Sequence, residues 1–130
     1  MAHFLSHLLN DDSSQFQLIN ANTDAVVAST LLTAFDSASR RTGLLNHTSL
    51  SLGTAMIIAP CSAVHTFFMK FPIDVVFVAK DGRVLKVRRS MAAWRLSGSF
   101  GAFATIEFAA GQVPADVRRG DVFSVVRVGR

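Results

Sequence analysis

Two carboxylates stand where the surrounding sequence is apolar. Asp74 lies near the start of PIDVVFVA, residues 72–79, in which both alternating sets are apolar: Ile73, Val75 and Phe77 on one side, Val76 and Val78 on the other. A short β-branched run of this kind predicts a strand buried on both faces, and a carboxylate there is costly unless it is paired or hydrogen-bonded. Asp74 is therefore an acid, a base or a ligand anchor, or else a structural carboxylate that caps a turn or pairs with Arg89 or Arg40. Glu107 is the only glutamate of the chain and falls in a second apolar run, on the same side as Phe103 and Thr105. Two carboxylates in contrasting environments can divide acid and base roles. The expectation is that Asp74 and Glu107 open into one cavity with Arg40 at its edge. Separately, each can be satisfied by an arginine or a backbone N–H.

Three further sets have chemical potential. Cys61, His65 and Met69 are spaced by four. On a helix they would share a side and suit a soft metal such as Cu(I). In a strand the same spacing spreads them over ~26 Å, so no metal site is expected and His65 is read as a polar residue beside a pocket. Arg40 follows a short helical pattern, where the dipole favours a cation; it reaches inward to an anion or Asp74, or makes the dipole contact alone. Trp94, the single tryptophan, sits in a Ser- and Gly-rich stretch, as a lid over a pocket or an anchor of its loop. Phosphate loops, dinucleotide fingerprints and nucleophile elbows are absent, and no cofactor is expected.

The elements that must position these residues are mostly strands. Asp81-Gly82 predicts a hairpin turn after the 72–79 strand. A two-residue loop pairs Val78 with Leu85, Val76 with Val87 and Asp74 with Arg89 on one face, and Val75 with Arg88 and Phe77 with Lys86 on the other. A three-residue loop with a bulge shifts this register. Residues 15–20, 25–29, 54–59, 64–69, 102–109 and 121–128 read as further strands. Residues 31–41 read as a short helix capped by Ser29 or Thr30 and ended by Gly43, and 111–118 as another. The expected fold is α+β, mainly β: an antiparallel sheet curled into a small barrel with one or two short helices. Residues 1–12 are expected as a peripheral tail, with 13–130 forming one domain.

Several segments resemble, in order, those of the domain-of-unknown-function 192 family, a set of small uncharacterised bacterial and archaeal domains. Arg40-Arg41-Thr42-Gly43-Leu44-Leu45 is similar to its R-x-x-G-L segment, and His65 to Met69 to its segment ending in methionine. Pro72-Ile73-Asp74-Val75-Val76-Phe77 and Asp81-Gly82-Arg83-Val84 resemble its P-[LI]-D-[IV]-x-F and following turn. Trp94-Arg95, Ile106-Glu107 with Gly111, and Gly120-Asp121 complete the set, over roughly residues 35–125. Leu45, Asn46-His47, Phe71 and Ala93 depart from the family's usual residues. The resemblance implies a compact, mainly β fold with one or two short helices, and no reaction.

At 130 residues the chain is the size of one domain. Half its residues are hydrophobic and 17% are charged, below the usual ~25%. That excludes disorder and leaves surface available for self-association. One cysteine excludes an intrachain disulfide. The N-terminal residues lack a signal-peptide pattern, and the expected location is the cytoplasm. Net charge is +4, but the first 39 residues hold four of the nine acids and none of the 13 Lys and Arg, leaving −4 there and +8 in the remainder. Five bases between Arg83 and Arg95 could meet nucleic acid or an anionic membrane, or could simply protect a strand edge. The sequence thus supports three readings. The first is a binding module whose pocket, rimmed by Arg40, His65, Asp74, Trp94 and Glu107, takes a small polar molecule or partner segment. The second is a hydrolase using Asp74 and Glu107, and the third a basic docking surface.

Overall fold

A five-stranded sheet is the centre of the molecule. In the computed structural model, which describes residues 3–9 and 12–128, ten strands are β1 (Phe16–Asn20), β2 (Ala25–Ala28), β3 (Thr30–Ala34), β4 (Thr54–Ile58), β5 (Ala63–His65), β6 (Ile73–Val78), β7 (Val84–Met91), β8 (Leu96–Gly98), β9 (Ala104–Ala109) and β10 (Phe123–Arg127). The central sheet runs β3-β4-β9-β6-β7, a second sheet β10-β1-β2, and β5 and β8 form a separate ribbon. Strands β4, β6 and β9 are buried along nearly their whole length, as the doubly apolar 72–79 run requires.

The core is therefore double. On one face, Ala55, Ile57, Val76, Val78, Ile106 and Phe108 pack against Phe16, Leu18, Phe123 and Val125 of the second sheet. On the other, Met56, Ile58, Ile73, Val75 and Phe77 are covered by Leu44, Leu50 and Met91, with Cys61 and Val64 packed against the edge. The two sheets touch where Arg83 bridges Val122, and the chain crosses between them at Ser29. Each sheet remains open in its strand order, so the hydrogen-bonded ladders close no barrel.

Three local expectations change. The run 31–41 divides: Leu31 and Ala34 are core residues of β3, and the helix α1 (Ser37–Thr42) starts only at Asp36, whose Oδ1 accepts the Ser39 N–H at 2.8 Å. Burying Leu31 against the second sheet outweighs the weak helical propensity of a six-residue stretch. β3 then pairs parallel with β4, through a crossover of residues 35–53, so the sheet is mixed. Residues 111–118 form no helix. Within the expected tail, residues 3–9 are not peripheral: Leu5 and Leu8 are core residues and the Phe4 N–H donates to Lys80 O at 2.9 Å. Its apolar side chains fill space that two open sheets leave between them.

The β6–β7 hairpin has a three-residue loop. The Gly82 N–H donates to Ala79 O, and Gly82 takes φ +88°, a type I turn followed by a left-handed bulge residue. Val78 consequently faces Val84, but Val76–Val87, Val75–Arg88 and Phe77–Lys86 pair as expected, because a bulge restores the register after Phe77. Gly82 is buried, and the Phe123 N–H donates to its carbonyl at 2.8 Å. A Cβ at this position would collide with the Phe123 carbonyl oxygen. Gly82→Ala is expected to lower unfolding free energy by about 2–4 kcal/mol in urea titrations, from the combined strain and steric clash; a loss below about 1 kcal/mol would show that the sheet junction yields.

Candidate functional site

The alternation of β9 places Glu107 on the second face of the central sheet, between Met56 of β4 and Val75 of β6. It is 5% exposed. Among the described residues its carboxylate has neither a hydrogen bond nor an ion pair. Burial alone pushes its pKa up to about 7. The group facing it is the end of α1. Gly43, at φ +47°, closes that helix with its N–H on Ser39 O, and a Cβ there would lie 3.9 Å from Glu107 Oε1.

Around this carboxylate lies a cavity of about 370 Å³, within the range of small-molecule sites. Arg40, Arg41, Cys61, His65 and Met69 line it with Glu107, and Leu44, Ile58 and Val64 form apolar wall. Arg40 is half-buried and its Nη1 donates to Phe35 O at 2.7 Å, which ties the guanidinium back across the start of its own helix. Arg41 is exposed at the rim. His65 is exposed on β5, and its Nδ1 accepts the Phe67 N–H at 3.3 Å.

Asp74 is elsewhere. It pairs with Phe108 on β9, one residue from the Val75–Glu107 pair, and so projects from the opposite face of the sheet. Its carboxylate accepts three backbone N–H groups: Ser90 at 2.8 Å on Oδ1, and Gly111 at 3.0 Å and Val113 at 3.1 Å on Oδ2. The expected contact with an arginine is not made. Arg89 and Ser90 together lie opposite Asp74 as a bulge, with Ser90 at φ +49°, which turns the Ser90 N–H onto the carboxylate. Arg89 instead donates to the carbonyls of Val113, Pro114 and Val117 at 2.8, 3.0 and 3.2 Å. An acid and a base thus clamp one loop through its backbone, the acid taking its N–H groups and the base its carbonyls.

The structure therefore brings Arg40, His65 and Glu107 to one cavity and leaves Asp74 and Trp94 outside it. The two-carboxylate hydrolase loses its geometry, since the carboxylates are separated by the sheet. Trp94 is 56% exposed and packs on Phe67 and Phe68 rather than on the core or over the cavity. Cys61, His65 and Met69 do reach a common cavity, because the chain folds back around Thr66 instead of continuing as one strand. Among the described residues no three His, Cys, Asp or Glu side chains are placed to hold a metal. Arg41 was not singled out by its sequence; the signal available was its place beside Arg40 before Gly43.

The family model described as "Uncharacterized ACR, COG1430", of the domain-of-unknown-function 192 family, matches residues 18–125. The chain belongs to this family. Two solved structures share its fold. One is a "putative transcription regulator" of Sinorhizobium meliloti, at 20% identity and TM-score 0.73, covering 85% of this chain and 91% of that one. The other is a protein of unknown function from Novosphingobium aromaticivorans, at 20% identity and TM-score 0.69, covering 84% and 82%. No curated protein matches significantly. Many residues of the family-like segments gather in three places. Arg40 to Leu45, His65, Met69 and Glu107 surround the cavity. Asp74 and Gly111 form the loop clamp, and Asp121 accepts hydrogen bonds from Asn20 Nδ2 and the Arg118 N–H.

Two outcomes follow for the carboxylates. Asp74→Asn places an amide N–H₂ among three donors, and Asp74→Ala leaves all three backbone N–H donors without their acceptor. Each is expected to cost about 3 kcal/mol or more in denaturant unfolding, and a loss under about 1 kcal/mol would show that the loop is held without the clamp. Glu107 behaves oppositely. Its proton is held more tightly in the folded chain than in the unfolded one, so stability falls as pH rises from about 4.5 to about 7. Below that window both states are protonated and the penalty is absent; above it the penalty is complete. Glu107→Gln should therefore raise stability at pH 8 by about 2–3 kcal/mol and flatten the dependence between pH 5 and 7. A Gln variant that is less stable at pH 8 would show that the carboxylate has a partner in solution.

Proposed function

We propose that this domain is a small binding module whose ligand is an amphoteric small molecule, one bearing an amine or other strong donor at one end and a carboxylate or phosphate at the other. The observation that carries the reading is Glu107: a buried carboxylate, unpartnered among the described residues, facing a cavity that also presents Arg40 and Arg41. A buried carboxylate without a partner costs folding stability, and a ligand cation at Glu107 offsets that cost. The arginines supply the complementary end, with Arg41 free to fork onto an anion at the rim. The apolar wall lowers the local dielectric around Glu107 and strengthens the inner contact. Among the described residues no helix is long and apolar enough to cross a membrane. We place the domain in the cytoplasm, a compartment that keeps a free thiol such as that of Cys61 reduced.

A thermal-shift panel tests this with free amino acids, ω-amino acids and amino-phosphates set against simple amines and simple carboxylates. Amphoteric compounds should raise Tm, by linkage to the native state, and simple ones should not. The shift should vanish in Glu107→Gln, shrink in Arg41→Ala, and grow as pH rises through about 7, where Glu107 ionises. No response from any compound, or a response that survives Glu107→Gln, would overturn the assignment.

A further inference from the structure

The ribbon of β5 and β8 turns a row of large apolar side chains outward. Leu96 is 71% exposed, Phe68 70% and Trp94 56%, and Phe100 is fully exposed. His65 pairs with Leu96 and Ala63 with Gly98, so these residues share the ribbon's outer face, while Val64 packs toward the core. The row is held rather than loose. His65, Phe67 and Trp94 stack in succession at 4.9 and 5.6 Å, and Phe68 meets Trp94 edge-on at 4.6 Å. Beneath them Thr66 is fully buried. Its hydroxyl donates to Ala92 O at 2.6 Å and accepts the Arg95 N–H at 2.9 Å, and its carbonyl accepts the Trp94 N–H at 3.0 Å. This hub keeps both Phe68 and Trp94 at left-handed φ, +66° and +64°, a conformation bulky residues rarely adopt. Satisfying the backbone through Thr66 makes the protein display the rings instead of burying them.

The charge beside this face has one sign. Residues 61–73 and 82–106 contain no Asp or Glu. Lys86 reaches the ribbon and donates to Gly98 O at 3.0 Å, Arg88 shares its side of β7 by alternation, Arg95 adjoins Trp94, and Lys70 follows Phe68 by two residues. We propose that the outer face of the β5–β8 ribbon docks on anionic lipid bilayers, with Phe68, Trp94, Leu96 and Phe100 entering the headgroup–acyl boundary and the cations meeting lipid phosphates. Aromatic and aliphatic side chains flanked by Lys and Arg are the combination that such an interface selects. Single-stranded nucleic acid fits less well: Leu96 offers no π-face, and Phe67 and Trp94 already occupy each other's. A second copy would bring like-charged rims together.

The single tryptophan is its own reporter. The full chain is mixed with phosphatidylcholine vesicles, with and without about one-third phosphatidylserine, and followed by Trp94 emission and by vesicle flotation. Phosphatidylserine vesicles should shift the emission to the blue and carry the protein upward, and neutral vesicles should do so far less. Leu96→Ser with Phe100→Ser, or Lys70→Glu with Arg95→Glu, should each weaken binding by roughly tenfold or more. These side chains are exposed, so an unchanged circular dichroism spectrum and Tm certify the fold. Glu107→Gln should leave vesicle binding intact, which separates this surface from the pocket. No blue shift on anionic vesicles at low salt overturns the proposal. So does equal binding to neutral vesicles, a blue shift that grows with protein concentration in the absence of lipid (a second copy), or a stronger response to an oligothymidine that the same substitutions abolish (nucleic acid).

Discussion

A sheet covered on both faces leaves no neutral place for a charged side chain. In this domain β6 and β9 are packed between two apolar layers, so each carboxylate they carry must go into one layer or the other and be compensated there. Asp74 goes toward the second sheet and is met by three backbone N–H groups. Glu107 goes toward α1 and finds a cavity. The same strand pair thus produces a structural anchor and, among the described residues, an unpartnered carboxylate within one residue of each other. The difference is which face was chosen, and that follows from a single step of alternation.

The clamp at Asp74 has consequences along the chain. Residues 111–117 run across the end of β6 and β7 without regular structure, so their polar groups need outside partners. Asp74 and Arg89 supply both signs of partner from adjacent strands, and the bulge that separates them in the ladder is what allows each to reach the loop. Val113 and Val117 are then buried between these contacts. An arginine paired directly with Asp74 would have satisfied the carboxylate and left the loop unheld.

The opposite layer is built for exposure. Its cover is a one-and-a-half-turn helix, an irregular crossover and a ribbon of two three-residue strands, none of which spans the whole sheet. The gap beneath them is the cavity, and the outer side of the ribbon is the aromatic row. His65 takes part in both, lining the first and stacking in the second. A ligand in the cavity and a partner on the ribbon would therefore meet through one side chain.

Local chemistry made much of the frame legible. The doubly apolar run at 72–79, Asp-Gly after it and Gly43 at the helix end located their elements, because each depends on neighbours in sequence. The burial of Asp74 and Glu107 was legible for the same reason. What the tertiary structure decided was every question of direction. Asp74 and Glu107 lie on opposite faces because β6 and β9 pair in a register that aligns Val75 with Glu107, and no local signal states that register. Leu31 to Ala34 became a strand because a parallel partner was available in β4. Leu5 and Leu8 entered the core because two open sheets left room for them. Trp94 stayed outside because Thr66, twenty-eight residues earlier, held its backbone. Sequence patterns report how a residue suits its own strand or turn; which other residue stands across from it depends on long-range pairing, and that is where this site was made.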